Sequence, residues 1–440
     1  MIAGVSPLVS ELKARAEAGR PVTIGLAGCG QMGTDIMVQL NRMPGLRLGA
    51  VAEMRPPQAR AAAAMAGFTQ DRTVYAETPA AIDAAIEQGR IAITSDPAVL
   101  AKSGRIDVVI DATGNPNTGT QFALEAIASG KHVVMLNVEA DITIGRHLHE
   151  AAKRAGVVYT GAAGDEPAAT LELIGFAQSI GLEVVCAGKG KNNPLKWDAV
   201  PADYEAEAKA RNMNARMLVE FVDGSKTMVE MVAIANCTGL VPDVPGMHGP
   251  AATRDELASV LIPKEHGGVL SKKGCVDYSI GKGVAPGVFC IVTTDHPRLQ
   301  ERMIDLKVGK GPYFALTRPY HLTSLEVPLS AARAVLHGRA DMVPLEQPVA
   351  ECVTVAKRDL GPGEILGRIG ETDYRAWAMT HAEARNCNAV PLGLAQGAKV
   401  VKPVRAGERL TYDNCVPDET LLVTQIRRRL DQADTRFHAL

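Results

Sequence analysis

At 440 residues the chain is longer than one hydrophobic core usually supports, so two or three domains are expected. Hydrophobic residues make up 46% and charged residues 22%, and a net charge of -2 gives no bulk field to gather nucleic acid or an anionic membrane. Aromatic residues, at 4%, are too scarce for a base-stacking platform, so any anion site must be local, built by a few cations converging in a cleft.

In chain order, residues 1–20 read as a helix carrying Glu11, Lys13, Arg15 and Glu17, which interrupts the apolar run a secretory signal needs. No stretch approaches the roughly 18 apolar residues of a membrane span. Eight cysteines are scattered without CxxC or Cys/His spacing and read as buried or bystander thiols in a reducing, cytoplasmic setting.

From Pro21, strand-like runs alternate with helical stretches: VTIGLAG, a helix through Met37, LRLGAVAE and an Ala-rich helix near 57–67. IAITSD, IDVVIDAT, a helix over 121–130, HVVMLN, a helix over 145–155 and VVYTGA follow. The alternation predicts α/β architecture, a doubly wound parallel sheet of Rossmann type over residues 1–160, with six strand candidates. Residues 161–342 read as a mixed α/β catalytic domain with strands GLEVVCAGKG, MLVEFVDG, VDYSIG and GVFCIVTT. Within it, a helix over 321–338 is expected to return to the Rossmann domain. Residues 343–440 read as a small β-rich C-terminal domain of short strands and Gly-rich turns.

Gly28-Cys29-Gly30-Gln31-Met32-Gly33 is a GxGxxG that follows a strand and opens a helix, the context in which the motif cradles a dinucleotide pyrophosphate. Gly28 allows the turn, Gly30 the approach of the phosphates, and Gly33 close helix–strand packing. Glu53 ends the second strand about 20 positions on, where an acid accepts from a ribose 2'-hydroxyl, whereas Arg55 suits the 2'-phosphate of NADP; the residues leave both open. Thr113 and Gly114 in DATGNP, and Asn137 and Glu139 in LNVE, fall at the carboxyl edge of the sheet as further cofactor contacts or as loop and cap residues.

Asp165 and Glu166 precede Pro167 at a helix start; they could cap that helix, exchange protons with a substrate, or hold a divalent cation such as Mg or Mn. Lys189 and Lys191 in GKGKNNP have period-two spacing and would share one side of a strand, to polarise a carbonyl or hold a phosphate. Arg318 and His321 in TRPYH, and His248 in GMHGP, add polar donors in turn-rich segments, with a structural role as the alternative.

The series GLAGCGQMG, VAEMRP, DATGNP, NVEADITIG, GAAGDEPAA, GKGKNNP and TRPYHLTSLE resembles the DRL family, deoxyxylulose phosphate reductoisomerase-like enzymes whose first two domains are similar to homoserine dehydrogenase. The tail, ECVTVAKRDLGPGEIL with PLGLAQGAKVVKPVRAGERLTYDNC, resembles a SAF domain, a β-clip module. The resemblance implies NADP(H)-dependent conversion of 1-deoxy-D-xylulose 5-phosphate to 2-C-methyl-D-erythritol 4-phosphate, an early step of isoprenoid synthesis. In that reading Asp165 and Glu166 supply a metal or proton site, and Lys189, Lys191, Arg318 and His321 hold phosphate and developing charge. The expected partner is a phosphorylated sugar, with neither nucleic acid nor membrane, and the expected assembly is a homodimer. The alternatives are an NAD(P)-dependent dehydrogenase or oxidoisomerase of a branched sugar acid, and a non-catalytic NADP-binding sensor.

Overall fold

The computed structural model describes residues 6–211 and 213–438, with side chains to residue 434. The chain divides into two compact units: Met1–Asp165 with Leu322–Val343, and Glu166–His321 with Pro344–Leu440.

The first unit is built on seven parallel strands: β1 (Val22–Ala27), β2 (Leu46–Ala52), β3 (Thr73–Tyr75), β4 (Ile91–Thr94), β5 (Val108–Asp111), β6 (His132–Met135) and β7 (Tyr159–Gly161). Their order is β3-β4-β2-β1-β5-β6-β7, the Rossmann arrangement, with crossover helices between consecutive strands. Every residue of β1 is buried, which is why VTIGLA reads as a continuous apolar run rather than an alternating one. Six of these strands match the six sequence candidates. The seventh, β3, is a three-residue edge strand too short to show a period.

The helix expected over 321–338 is a 3-10 turn at Thr323–Leu325 followed by an α-helix at Val327–His337. It belongs to the first unit, where Val327, Ala331 and Ala332 join the core around Ile24, Leu26 and Ile36.

The second unit carries a five-stranded mixed sheet of β8 (Glu183–Lys191), β9 (Val241–Pro242), β10 (Cys275–Ile280), β11 (Val288–Thr293) and β12 (Tyr313–Arg318), in the order β12-β11-β8-β10-β9. β10 runs parallel to β8 and β9, whereas β11 is antiparallel to β8 and β12. Strands GLEVVCAGKG, VDYSIG and GVFCIVTT are present, but MLVEFVDG is not a strand. Residues Ala215–Val222 form a helix capped by the Asn214 side chain on Arg216 N. Leu218, Val219 and Val222 are buried on one side of it, a helical spacing that outweighs the β-branched composition.

Residues Pro344–Leu440 pack with Glu166–His321 as one unit. They contribute two small antiparallel sheets, β13 (Ala350–Ala356) with β14 (Tyr374–Thr380) and β15 (Lys399–Val400) with β16 (Cys415–Val416), and a C-terminal helix, Leu422–His438. The joins are specific. Lys357 Nζ meets buried Asp223 at 2.6 Å and donates to Ala199 O, and the Asn236 amide bonds the backbone of Val349 and Ala350. All eight cysteines are free thiols. Among the described residues no helix is long and apolar enough to cross a membrane.

Candidate active site

In the first unit the glycine loop is shaped by contacts that a side chain would prevent. Gly28 sits at φ +89°, and a Cβ there would lie 2.6 Å from Ala112 O. At Gly33 a Cβ would come within 2.1 Å of Gly28 O, so the helix Gln31–Leu40 can press against the turn only with glycine. Gly30 differs: it precedes the helix, is exposed, and a Cβ there would meet nothing within 4 Å. The space over Gly30 and the helix N-terminus is open, as a bound pyrophosphate requires, and Gln31 and Met32 form the first turn beside it.

Glu53 leaves the end of β2 and closes this loop, accepting from Cys29 N at 3.4 Å and from Arg55 N at 3.2 Å. The Cys29 thiol, pushed up by burial and by Glu53, stays protonated. Arg55 is exposed. Asn137 is buried and braces two strand ends: its Nδ2 donates to Asp111 Oδ2 at 3.2 Å and to Asn115 O at 2.9 Å. Its Oδ1 accepts from Ala140 N and so caps the helix Val138–Ala155. Thr113 N donates to Asp111 Oδ1 in the same brace, Gly114 at φ +63° turns the chain, and Glu139 lies in the first turn of the capped helix. These residues fit a nicotinamide dinucleotide: a side-chain-free phosphate cradle, with an acid and an exposed guanidinium at the ribose end.

In the second unit the alternation of GKGK separates two tasks. A Cβ at Gly188 would lie 1.7 Å from Asp277 O, and one at Gly190 would lie 2.1 Å from Val284 O, so the glycine face of β8 admits neighbouring backbone. Lys189 and Lys191 point to the other face and are both 6% exposed, so neither is a solvated loop lysine. Lys189 Nζ lies 2.6 Å from Glu166 Oε1 and also bonds Glu230. Glu166 is the first residue of the helix Glu166–Ser179, so its carboxylate faces an ammonium at a positive helix end rather than serving only as a cap. His321 Nε2 is 3.4 Å from the same Glu166 oxygen. Lys226 reaches Glu230 at 3.6 Å.

The two lysines differ sharply. Burial alone would push Lys189 down, but the Glu166 and Glu230 carboxylates outweigh it and hold the ammonium well above the usual lysine range. Lys191 Nζ bonds only a neutral acceptor, Phe221 O, among its described hydrogen bonds. Burial, aided by repulsion from Lys189, pushes it down to about 8 against the pull of Asp223 and Glu230.

Glu230 was not among the sequence candidates. It is wholly buried on the helix Ser225–Thr238, and its signal was a lone carboxylate in the apolar run MVEMVAIAN. His248 is held by its own pair, Nε2 on Asp243 at 2.7 Å, with its backbone N–H on Asp277. Arg318 ends β12, bonds Glu172 at 3.1 Å and stacks on Tyr320. Asp165 closes the long segment of the first unit and is 3% exposed. Glu166 and Glu230 offer carboxylate oxygens within 4.8 Å of one another, in a group that could hold a metal ion, and the ammonium of Lys189 sits on Glu166 Oε1 beside it.

Residues 28–160 match the homoserine dehydrogenase NAD-binding domain, and residues 164–327 match the catalytic domain of oxidoreductase DRL. No curated protein matches the chain. Among solved structures, a "probable dehydrogenase" from Thermotoga maritima is 16% identical over 73% of this chain and 91% of its own, with a TM-score of 0.43. A myo-inositol dehydrogenase from Corynebacterium glutamicum is 13% identical over 72% and 89%, with a TM-score of 0.39. The scyllo-inositol dehydrogenase of Lactobacillus casei, solved with NAD(H) and scyllo-inositol, is 15% identical over 68% and 76%, with a TM-score of 0.36. Similarity of this degree carries no information on substrate. Both family matches end before the tail, so they leave its SAF-like character untouched.

Proposed function

We propose, for a chain that belongs to the DRL-like oxidoreductases, that it is an NADPH-dependent reductoisomerase converting 1-deoxy-D-xylulose 5-phosphate to 2-C-methyl-D-erythritol 4-phosphate. The observation that carries this reading is the buried lysine pair of β8, one lysine locked as a cation by Glu166 and Glu230 and the other poised near neutrality.

A carbon-skeleton rearrangement of a hydroxy-ketone needs a group that takes a hydroxyl proton and a fixed charge that stabilises the resulting oxyanion. Lys191, at about 8, accepts and returns a proton near neutral pH. Lys189 keeps its charge throughout and offers it without reorganisation, because its carboxylates already orient it. His321 steadies Glu166, and Arg318 offers a guanidinium to the substrate phosphate in exchange for Glu172. The nicotinamide, when bound at the Gly28–Gly33 loop, supplies the hydride that reduces the rearranged aldehyde. Exposed Arg55 is the group suited to a 2'-phosphate, which favours NADPH.

The test follows NADPH absorbance with deoxyxylulose phosphate set beside branched sugar acids, with product identified by mass and NMR. Turnover to the branched tetrol phosphate is expected. Oxidation of a branched sugar acid alone would replace this reading by a dehydrogenase, and cofactor binding without turnover on any substrate would replace it by a sensor.

A further inference from the structure

The only two tryptophans of the chain, Trp197 and Trp377, meet edge to face in the second unit, with ring centroids 5.2 Å apart and planes at 71°. Trp377 lies on β14, where glycine at 246 is required, since a Cβ there would fall 2.2 Å from the indole. Arg375, two residues earlier on the same face of β14, lays its guanidinium against both rings, 4.5 Å from Trp197 and 4.6 Å from Trp377.

This guanidinium has donors to spare. Its Nη1 is buried without a hydrogen-bond acceptor among the described residues. Asp223, whose charge it feels, is committed to Lys357 Nζ at 2.6 Å and to Ser225 N at 2.8 Å. A half-buried guanidinium with an unmet donor is unfavourable in a folded protein.

A second guanidinium stands across the strand. Val355 on β13 pairs with Arg375 on one side and bridges Arg409 on the other, so the three residues share one face of the small sheet. Val355, Arg375, Trp377, Gly407, Glu408 and Arg409 line a cavity of about 420 Å³, within the range of small-metabolite sites. Glu408 does not cancel the pair of cations at close range, because its carboxylate is turned into the adjacent bend, accepting from Arg405 N at 2.9 Å.

We propose that this cavity binds a small organic anion, held through carboxylate or phosphate oxygens by Arg375 and Arg409 over the Val355 floor. The fork of each guanidinium matches two oxygens of such a group, and the indoles fix one fork in place before binding. The site is independent of the reaction proposed above, because none of its six lining residues belongs to the Lys189 cluster.

Because both tryptophans border Arg375, intrinsic emission reports on binding directly. The full chain is titrated with inorganic phosphate and, separately, with malonate, at ionic strength held constant with chloride. A saturable change in tryptophan emission with at least one anion is expected, and which one responds identifies the group recognised. Arg409→Gln, an exposed substitution, should weaken binding about tenfold with unaltered thermal unfolding. Arg375→Lys, which keeps the charge and loses the fork, should weaken it too. The proposal fails if neither anion gives a saturable change beyond chloride, or if both variants bind as tightly as the parent chain.

Discussion

The two chemical regions of the molecule are built by opposite means. The loop at Gly28–Gly33 works by removal: side chains are absent, backbone groups approach each other, and the space over Gly30 stays open. The cluster around Lys189 works by accumulation, with a lysine and two carboxylates packed where water is largely excluded, each tolerable only because the others are present. A change in the first region therefore acts through shape, and a change in the second through charge. The following experiments break or sharpen that contrast.

The largest effect is expected from Lys189→Met. It strips the ammonium from Glu166 and Glu230 and should destabilise the protein by about 3–5 kcal/mol, besides abolishing turnover. Chemical denaturation and steady-state kinetics measure both. Adding Glu230→Gln to it should restore part of the stability and none of the turnover, since the buried charge is relieved but the oxyanion stabiliser is still missing.

Next comes a glycine pair. Gly33→Ala must displace the turn at Gly28, costing about 1–3 kcal/mol together with cofactor affinity. Gly30→Val should leave thermal unfolding unchanged and weaken cofactor binding by about tenfold or more, because its side chain enters only the open space. If the two variants behave alike in both calorimetry and unfolding, the contrast between packing glycine and ligand glycine is wrong.

Lys191 gives a pH signature. Its folded pKa of about 8 lies below the ordinary lysine value of 10.5, so between those limits the unfolded chain binds more protons and stability contributed by this group rises with pH. Below about 8 the buried ammonium exerts its full penalty. Lys191→Met should therefore gain stability over the parent at pH 7, and that gain should shrink toward pH 10.5. In activity, the rising limb centred near pH 8 should vanish. A variant whose pH profile keeps that limb would show that the proton acceptor lies elsewhere.

The smallest effect is at the surface. Arg55→Ala should weaken NADPH several-fold more than NADH and leave the glycine loop undisturbed, since the guanidinium is exposed and only its backbone N–H meets Glu53. Equal losses for both cofactors would overturn its assignment to the 2'-phosphate.

The glycine region was legible in the sequence because its requirements are local: a buried strand, three glycines at fixed spacing and an acid at the end of the next strand all lie within residues 22–53. Lys189 and Lys191 were legible as a pair for the same reason, since period-two spacing fixes their common face. Their unlike states were not, because the carboxylates that set them arrive from residues 166 and 230, on two different helices. The sequence showed the Glu166 carboxylate but neither Glu230, which comes within 4.8 Å of it, nor the Lys189 ammonium on its Oε1. Residues 217–222 misled for a more elementary reason: Val, Phe and Leu in a short apolar run fit either period, and only the cap at Asn214 and the one-sided burial decide for a helix.

The first unit is interrupted, and that has a consequence for how the chain can be made and cut. Synthesis delivers residues 6–165 well before Leu322–Val343, so the nascent Rossmann sheet must wait, with the surface that Val327, Ala331 and Ala332 will cover still open, while 156 intervening residues emerge. A fragment stopped at residue 165 lacks that covering helix and should be prone to stick to itself. A soluble stand-alone version would have to splice 6–165 to 322–343 through a short linker, making the interruption a rule for engineering as much as a feature of topology.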